Sequence, residues 1–265
     1  MNQTGRSAND RYKIKVLEKA FRILDLYSET TYELTATEIA ERVRFNKTSV
    51  FRIITNLEEA GFLEKDPATL KYRLGLKIFF MGSLVKPFTD LKRVAKPWLK
   101  KLNTLCGETV HLAALQDGEA LYLDKIESSR TIRVAASRVG QKLPAHCSGV
   151  GKVLLANIPP DETEAIVAEK GLKRFTDKTI TTWERLSEEL SRVRKQGYAF
   201  DNEEIEEELK CVAAPIFVNK QVVAAISASV PKERFNRSKD ELTDLVIATA
   251  KHISDDLKKL RKGNF

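Results

Sequence analysis

Between Arg44 and Asp66 the chain reads RFNKTSVFRIITNLEEAGFLEKD. Val50, Ile53, Ile54 and Leu57 follow the i, i+3, i+4, i+7 spacing of one buried helix face. The outer face then carries Lys47, Thr48, Ser49, Phe51, Arg52, Thr55 and Asn56. Hydroxyls near a helix N-terminus suit phosphate oxygens, while Arg and Asn can read base edges in a major groove. Phe51 is the exception on this face and suits a thymine methyl group or local packing. Downstream, FLEKDPATLKYRL holds two short extended runs around the turn-prone Asp66–Pro67–Ala68–Thr69. A hairpin there presents Lys65, Lys71 and Arg73 to a DNA backbone.

A second chemistry lies in three segments with small or polar side chains where strands usually carry bulky ones. They are His146–Cys147–Ser148–Gly149, Cys211–Val212–Ala213–Ala214 and Ile226–Ser227–Ala228–Ser229. Alternation sends Ser227 and Ser229 to one sheet face. Small residues leave volume, and a few hydroxyls orient a ligand in an otherwise apolar pocket. Ser148 and Gly149 precede a helix whose free N–H groups suit a carboxylate. No arginine clamp is obvious within these segments, although Arg130, Arg133 and Arg138 are close in sequence.

Catalysis finds little support. Cys147 follows His146 directly, and adjacent residues seldom place a sulfur on an imidazole correctly. No phosphate-binding glycine loop, GxSxG or paired-carboxylate motif is present, so no enzyme and no cofactor are expected. His111, His146, Cys147, Asp201 and Cys211 are of metal-ligand type, but none has metal-motif spacing. Neither a metal nor a catalytic residue is predicted.

At 265 residues the chain has room for two domains. Its 42% hydrophobic and 31% charged composition is that of an ordinary globular protein. Three cysteines, far apart, exclude a disulfide framework. The net charge of +8 fits a polyanionic partner. The local pattern says more, with four cations and no acid from Arg42 to Leu57. No stretch approaches the ~20 apolar residues of a membrane span, and MNQTGRSANDRYKIK lacks an apolar signal core. A cytoplasmic protein without a membrane partner is expected.

The elements that must position these residues can be read in order. Val16, Leu17, Ala20, Phe21, Leu24 and Leu26 suggest a helix with a buried stripe between Ile14 and Tyr27. LTATEIAERV opens with a capping box, Thr35 with Glu38, and buries Ile39, Ala40 and Val43. Thr35, at the head of that helix, joins the DNA-facing set. The turn Arg44–Phe45–Asn46, the Lys47 helix and Gly61 as its C-terminal stop complete a helix-turn-helix. GLKIFFMGSLVKPF, residues 75–88, is a helix-compatible apolar stretch ending near Pro87. Beyond it, Leu91 to Leu105 keeps helical spacing, with Pro97 predicting a kink or a later start. TVHLAAL, EALYLDKI and TIRVAAS read as strands, the first two joined at Gln116–Asp117–Gly118. Helices follow over Gly151–Ala156, Asp161–Glu169 and Thr182–Gln196, the last with a Thr181–Glu184 capping box. YAFDNEE, CVAAPIFV and QVVAAISASV then supply strands, before a final helix from Leu242 to Leu260. This is an α+β chain with a largely antiparallel sheet.

NKTSVFRIITNLEEAGFLEKD followed by YRLG resembles the IclR family of bacterial transcriptional regulators. LPAHCSGVGKVLLA, Leu143 to Ala156, is similar to that family's effector-domain signature. The resemblance implies a winged helix-turn-helix DNA-binding domain over residues 10–75 and a linker helix over 76–88 that contributes to dimerisation. A GAF-like effector-binding domain over 89–265 follows. Carried over by position, it marks Leu143, Gly149, Val150, Asp201, Cys211, Ser227 and Ser229 for the effector, with Ser148 beside them. The implied partners are double-stranded operator DNA, a small-molecule effector such as a carboxylic acid or aromatic catabolite, and further copies of the chain as a dimer or dimer of dimers. The competing reading is a ligand-independent DNA-binding repressor whose C-terminal domain serves oligomerisation or binds a metal. Arg44 departs from the glycine common in such turns, and a left-handed backbone there costs roughly 1 kcal/mol.

Overall fold

The structure, a computed structural model, describes residues 14–28, 30–130 and 137–262. The chain divides into two compact units, Met1–Lys86 and Pro87–Phe265.

The first unit is built from α1 (Lys15–Leu24), α2 (Ala36–Val43), α3 (Lys47–Glu59), a hairpin of β1 (Leu63–Lys65) and β2 (Tyr72–Leu74), and α4 (Leu76–Ser83). The apolar spacing read in α2 and α3 puts Ile39, Ala40, Val43, Val50, Ile53 and Ile54 into one core with Ile23, Leu34, Leu63 and Tyr72. Thr35 and Glu38 make both halves of the capping box. Arg44 does take the left-handed conformation, φ 58° and ψ 40°. Bonds from Arg44 N–H to the Glu41 carbonyl and from Phe45 N–H to the Ala40 carbonyl offset its cost. Gly61, at φ 79°, follows the end of α3. In the hairpin, Asp66 accepts the N–H groups of Ala68 and Thr69, fixing the turn.

Two expectations fail in this unit. The α1 stripe is only partly covered: Ala20, Leu24 and Leu26 pack against the core and Ile23 is buried, while Val16, Leu17 and Phe21 are exposed. The stretch 75–88 is also not one helix. It breaks after α4, and α5 (Lys86–Cys106) starts there, with Pro87 in its first turn, where a missing N–H costs nothing.

In the second unit α5 runs on through Pro97 instead of beginning after it. Leu91 and Ala95 before the proline and Leu99 and Leu102 after it enter the same core, which holds both halves in register. A six-stranded antiparallel sheet follows, ordered β5-β4-β3-β8-β7-β6. Its strands are β3 (Thr109–Gln116), β4 (Glu119–Ile126), β5 (Lys142–Pro144), β6 (Ala199–Asn202), β7 (Leu209–Val218) and β8 (Gln221–Pro231). Asp117 and Gly118, at φ 52° and 75°, form the two-residue turn between β3 and β4. The expected strand TIRVAAS lies outside the described residues except for Ser137.

Strand alternation splits the sheet's side chains into two cores. Val110, Leu112, Val212, Ala214, Ile226, Ala228 and Val230 face α5 and α9 (Lys232–Lys262). Ala113, Ala213 and Ala225 face α6 (Gly149–Ala156) and α8 (Trp183–Gln196), while α7 (Pro160–Lys170) lies between those two in sequence. The α8 cap is Thr182, not Thr181: its hydroxyl accepts Arg185 N–H, because burial of Leu186, Leu190 and Val193 sets the register one residue later. α9 begins ten residues before the expected Leu242, with non-helical backbone at Ser238. Among the described residues, no helix is long and apolar enough to cross a membrane.

Candidate nucleic-acid interface and effector cavity

Asn46 caps α3 by accepting Ser49 N–H at 3.0 Å, so the helix starts with Lys47, Thr48 and Ser49 on its first turn. Lys47, Thr48, Phe51 and Arg52 are exposed, Phe51 by 56%. Among the described residues Lys47 and Arg52 have no carboxylate in ion-pair distance, which leaves both charges for another molecule. Thr55 and Asn56 behave differently. Thr55 Oγ1 donates to the Phe51 carbonyl at 2.9 Å and Asn56 Nδ2 to the Arg52 carbonyl at 2.7 Å. Both must leave those bonds before reading a base. Thr35 is half-buried, with its hydroxyl engaged by Glu38.

The hairpin lies beside this helix through β1. Lys65 Nζ sits 5.5 Å from the Tyr72 ring centroid. Lys71 is half-buried at the start of the returning strand. Arg73 faces Glu64 across the ladder and pairs with it at 2.9 Å. An exposed pair of this kind is weak, so phosphate oxygens can compete for the guanidinium. Behind the turn, Arg22 donates to the Val43 carbonyl at 3.2 Å and stacks 4.7 Å from the Phe45 ring centroid, a bracing role that the sequence did not reveal.

In the second unit one face of four neighbouring strands, β3, β8, β7 and β6, carries the small and polar residues. Asp201 pairs with Cys211, Cys211 with Ser229 and Ser229 with Thr109. In the next row Ala213 pairs with Ser227 and Ser227 with His111. Above this face sits α6, capped by Ser148, whose Oγ accepts Gly151 N–H at 3.1 Å. Gly151 permits the close approach: a Cβ there would stand 2.3 Å from Ala145 Cα.

Between the helix and the sheet is a cavity of about 200 Å³. All eight residues singled out from the sequence line it: Leu143, Ser148, Gly149 and Val150 from the loop and helix, and Asp201, Cys211, Ser227 and Ser229 from the strands. Tyr122, Ser137, Gln141, Ile205, Glu206 and Leu209 complete the wall and were not foreseen. Behind it His111 is wedged between Ser137 Oγ at 2.7 Å and Ser229 Oγ at 3.4 Å, and stacks on Tyr122. Burial, with Lys125 nearby, pushes the imidazole down to about 3, so it stays neutral. Burial raises Asp201 to about 7, against the pull of backbone N–H groups that favour its ionised form. Its carboxyl is thus poised to hold a proton near neutrality.

The remaining ligand-type residues do not make a reactive site. His146 Nε2 meets the Lys173 carbonyl at 3.0 Å, and burial pushes the Cys147 thiol well above its ordinary range. Among the described residues no group of three or more His, Cys, Asp or Glu has the geometry to hold a metal ion.

The sequence also hides an ionic cluster. Lys152, the one charged residue in GVGKVLLA, is 1% exposed and meets Glu204 at 2.5 Å and Glu189 at 3.1 Å. Burial works against its charge, but the two carboxylates outweigh that and hold it protonated. A lone cation in an apolar helix was the available signal; its partners are too distant in sequence to have been paired with it.

Residues 86–255 match the profile of the bacterial transcriptional regulator IclR C-terminal domain, and residues 16–67 match the IclR helix-turn-helix domain. The chain belongs to the IclR family. It is therefore a DNA-binding transcriptional regulator. Similar relatives include the HTH-type transcriptional regulator XynR of Escherichia coli strain K12, 36% identical over 83% of this chain and 88% of that protein. The regulator KdgR of Dickeya chrysanthemi is 37% identical over 90% of this chain and 78% of that one. Among solved structures, the IclR of Thermotoga maritima has TM-score 0.71 at 33% identity, covering 93% of this chain and all of the other. An IclR homolog from Microbacterium hydrocarbonoxydans, complexed with 4-hydroxybenzoate, has TM-score 0.82 at 26% identity, covering 92% and 99%.

Proposed function

We propose that this IclR-family regulator controls catabolic genes by binding a small carboxylic acid or aromatic metabolite in the cavity beneath α6. The observation that carries this reading is the convergence of Ser148, Gly149, Asp201, Ser227 and Ser229 on one cavity. The N–H groups opening α6 and the serine hydroxyls suit a carboxylate. A protonated Asp201 donates to one as well. Leu143, Val150, Tyr122 and Leu209 supply the apolar remainder, the mix expected of a small-molecule site. A regulator of this family crystallised with an aromatic acid, 4-hydroxybenzoate, supports that ligand class.

On this reading residues 10–75 bind operator DNA through Thr35, Lys47, Thr48, Ser49, Phe51, Arg52 and Thr55, with Lys65, Lys71 and Arg73 on the flanking backbone. Residues 76–88 link this domain to the effector domain, 89–265. The protein acts in the cytoplasm as a homo-oligomer. Leu76, Phe79, Phe80, Met81 and Leu84 are all exposed, and no residue of α4 is buried. A second copy covering this face explains it. Two recognition helices then meet two half-sites of a near-palindromic operator. Ligand-dependent operator affinity is the test: fluorescence anisotropy on upstream DNA, repeated with a panel of carboxylic and aromatic acids, shifts for at least one compound. Operator binding that ignores every acid while calorimetry shows one of them bound would contradict the coupling.

A further inference from the structure

A second cavity, of about 500 Å³, opens elsewhere in the same unit. Its floor is Lys152, Glu204 and Asp201, which are 1%, 4% and 3% exposed. Its rim carries Lys210 and Lys239 beside Phe200 and Phe235. Floor and rim each leave polar capacity unused. Glu204 Oε2 is buried without a hydrogen-bond partner among the described residues. Lys152 gives two of its three N–H groups, to Glu204 and Glu189, and no described residue takes the third. An unmatched acceptor beside an unmatched donor in a buried pair is costly, and a hydroxyl group answers both at once.

At the rim the charges are unanswered in the other direction. Lys210 donates to Asn236 Oδ1 at 3.0 Å and lies 5.8 Å from the Phe235 ring centroid, and Lys239 lies 4.7 Å from that of Phe200. Among the described residues neither has a carboxylate in ion-pair distance. Two such cations suit an anion. The paired rim lysine, Lys178, is different, being engaged by Glu203.

We propose that this cavity is a second ligand site, separate from the effector cavity, that takes a small hydroxycarboxylate: its hydroxyl between Glu204 and Lys152, its carboxylate at Lys210 and Lys239. Asp201 borders both cavities, so a ligand in one alters the surroundings of the other.

The test uses the full-length chain carrying Ser229→Leu, which fills the effector cavity, titrated calorimetrically with ω-hydroxy acids of three to six carbons and with the matched unsubstituted acids. At least one hydroxy acid binds, about tenfold or more tighter than its unsubstituted counterpart. Adding Lys210→Ala and Lys239→Ala, both at the surface, weakens that binding by about tenfold or more while the melting temperature holds. Glu204→Gln erases the preference for the hydroxyl; circular dichroism verifies its fold. If no hydroxy acid binds in the millimolar range, if the unsubstituted acids bind equally well, or if the double lysine replacement leaves affinity unchanged, the site does not exist as described.

Discussion

Among the described residues, every polar or charged residue buried as a whole belongs to the second unit, from Glu108 to Ser254, whereas the first unit's core from Ile23 to Tyr72 is apolar and aromatic, with the Tyr27 hydroxyl as its buried, unpartnered polar atom. The contrast follows from where each unit meets its partner. DNA is met on an outer surface, so the helix-turn-helix keeps its chemistry in water and needs only apolar contacts inside. On the proposed function a small molecule is met within, and the second unit holds serines, a histidine and carboxyls where their desolvation is costly. One unit is sensitive to packing and salt; the other to packing and to protonation.

Replacements that attack each interior separately put this contrast at risk. The largest effect is expected from Lys152→Met, which strips Glu204 and Glu189 of their buried counter-charge and costs about 3–5 kcal/mol. Both tryptophans, Trp98 and Trp183, lie in the second unit, so their fluorescence during urea unfolding follows that unit. Little change would mean the cluster is already neutral. In the first unit Ile54→Ala removes a side chain that is 0% exposed and costs about 3 kcal/mol. Operator binding then fails at a lower temperature while the tryptophan-reported transition stays in place. Coupled loss of both transitions would show that the two interiors are not independent.

Arg52→Ala leaves both interiors alone and acts on the DNA face. It weakens operator binding by about 2 kcal/mol, measured by anisotropy at fixed salt, with unfolding unchanged. Unaltered binding would remove Arg52 from the groove. The smallest effect concerns Asp201. Its folded carboxyl, raised from 3.8 to about 7, holds its proton more tightly than the unfolded chain does. That extra stability is complete at low pH and declines as pH rises through this window. Asp201→Asn cannot titrate, so its stability relative to the parent grows on the order of 1 kcal/mol between about pH 6 and pH 7. A flat difference would mean that Asp201 is ionised throughout.

The same contrast explains what the sequence made legible. α2, α3 and the hairpin announce themselves because surface helices alternate in a fixed period and their caps are local; Thr35 with Glu38 is enough to start one. The loop and strands that line the cavity beneath α6 stand out through small residues in unusual places, and Ser227 and Ser229 share a face as alternation requires. Tyr122 and Ser137 were not found, since their part in the cavity depends on strand pairing and loop closure far along the chain. The Lys152 cluster was invisible for the same reason: Glu189 and Glu204 come to it only after α6, α8 and the chain past β6 have packed. The α1 stripe misled because helical period reports that a face is apolar, not what covers it. The later helix start that Pro97 allowed does not occur, because the local cost is outweighed by burial on both sides.

Operator affinity with and without aromatic and aliphatic carboxylic acids, for the parent protein and for Ser229→Leu, decides whether the cavity beneath α6 holds the effector. At least one acid is expected to shift the affinity of the parent, while Ser229→Leu binds the operator normally and no longer responds to that acid. If the substituted protein answers the acid as the parent does, the effector is not held in the cavity beneath α6.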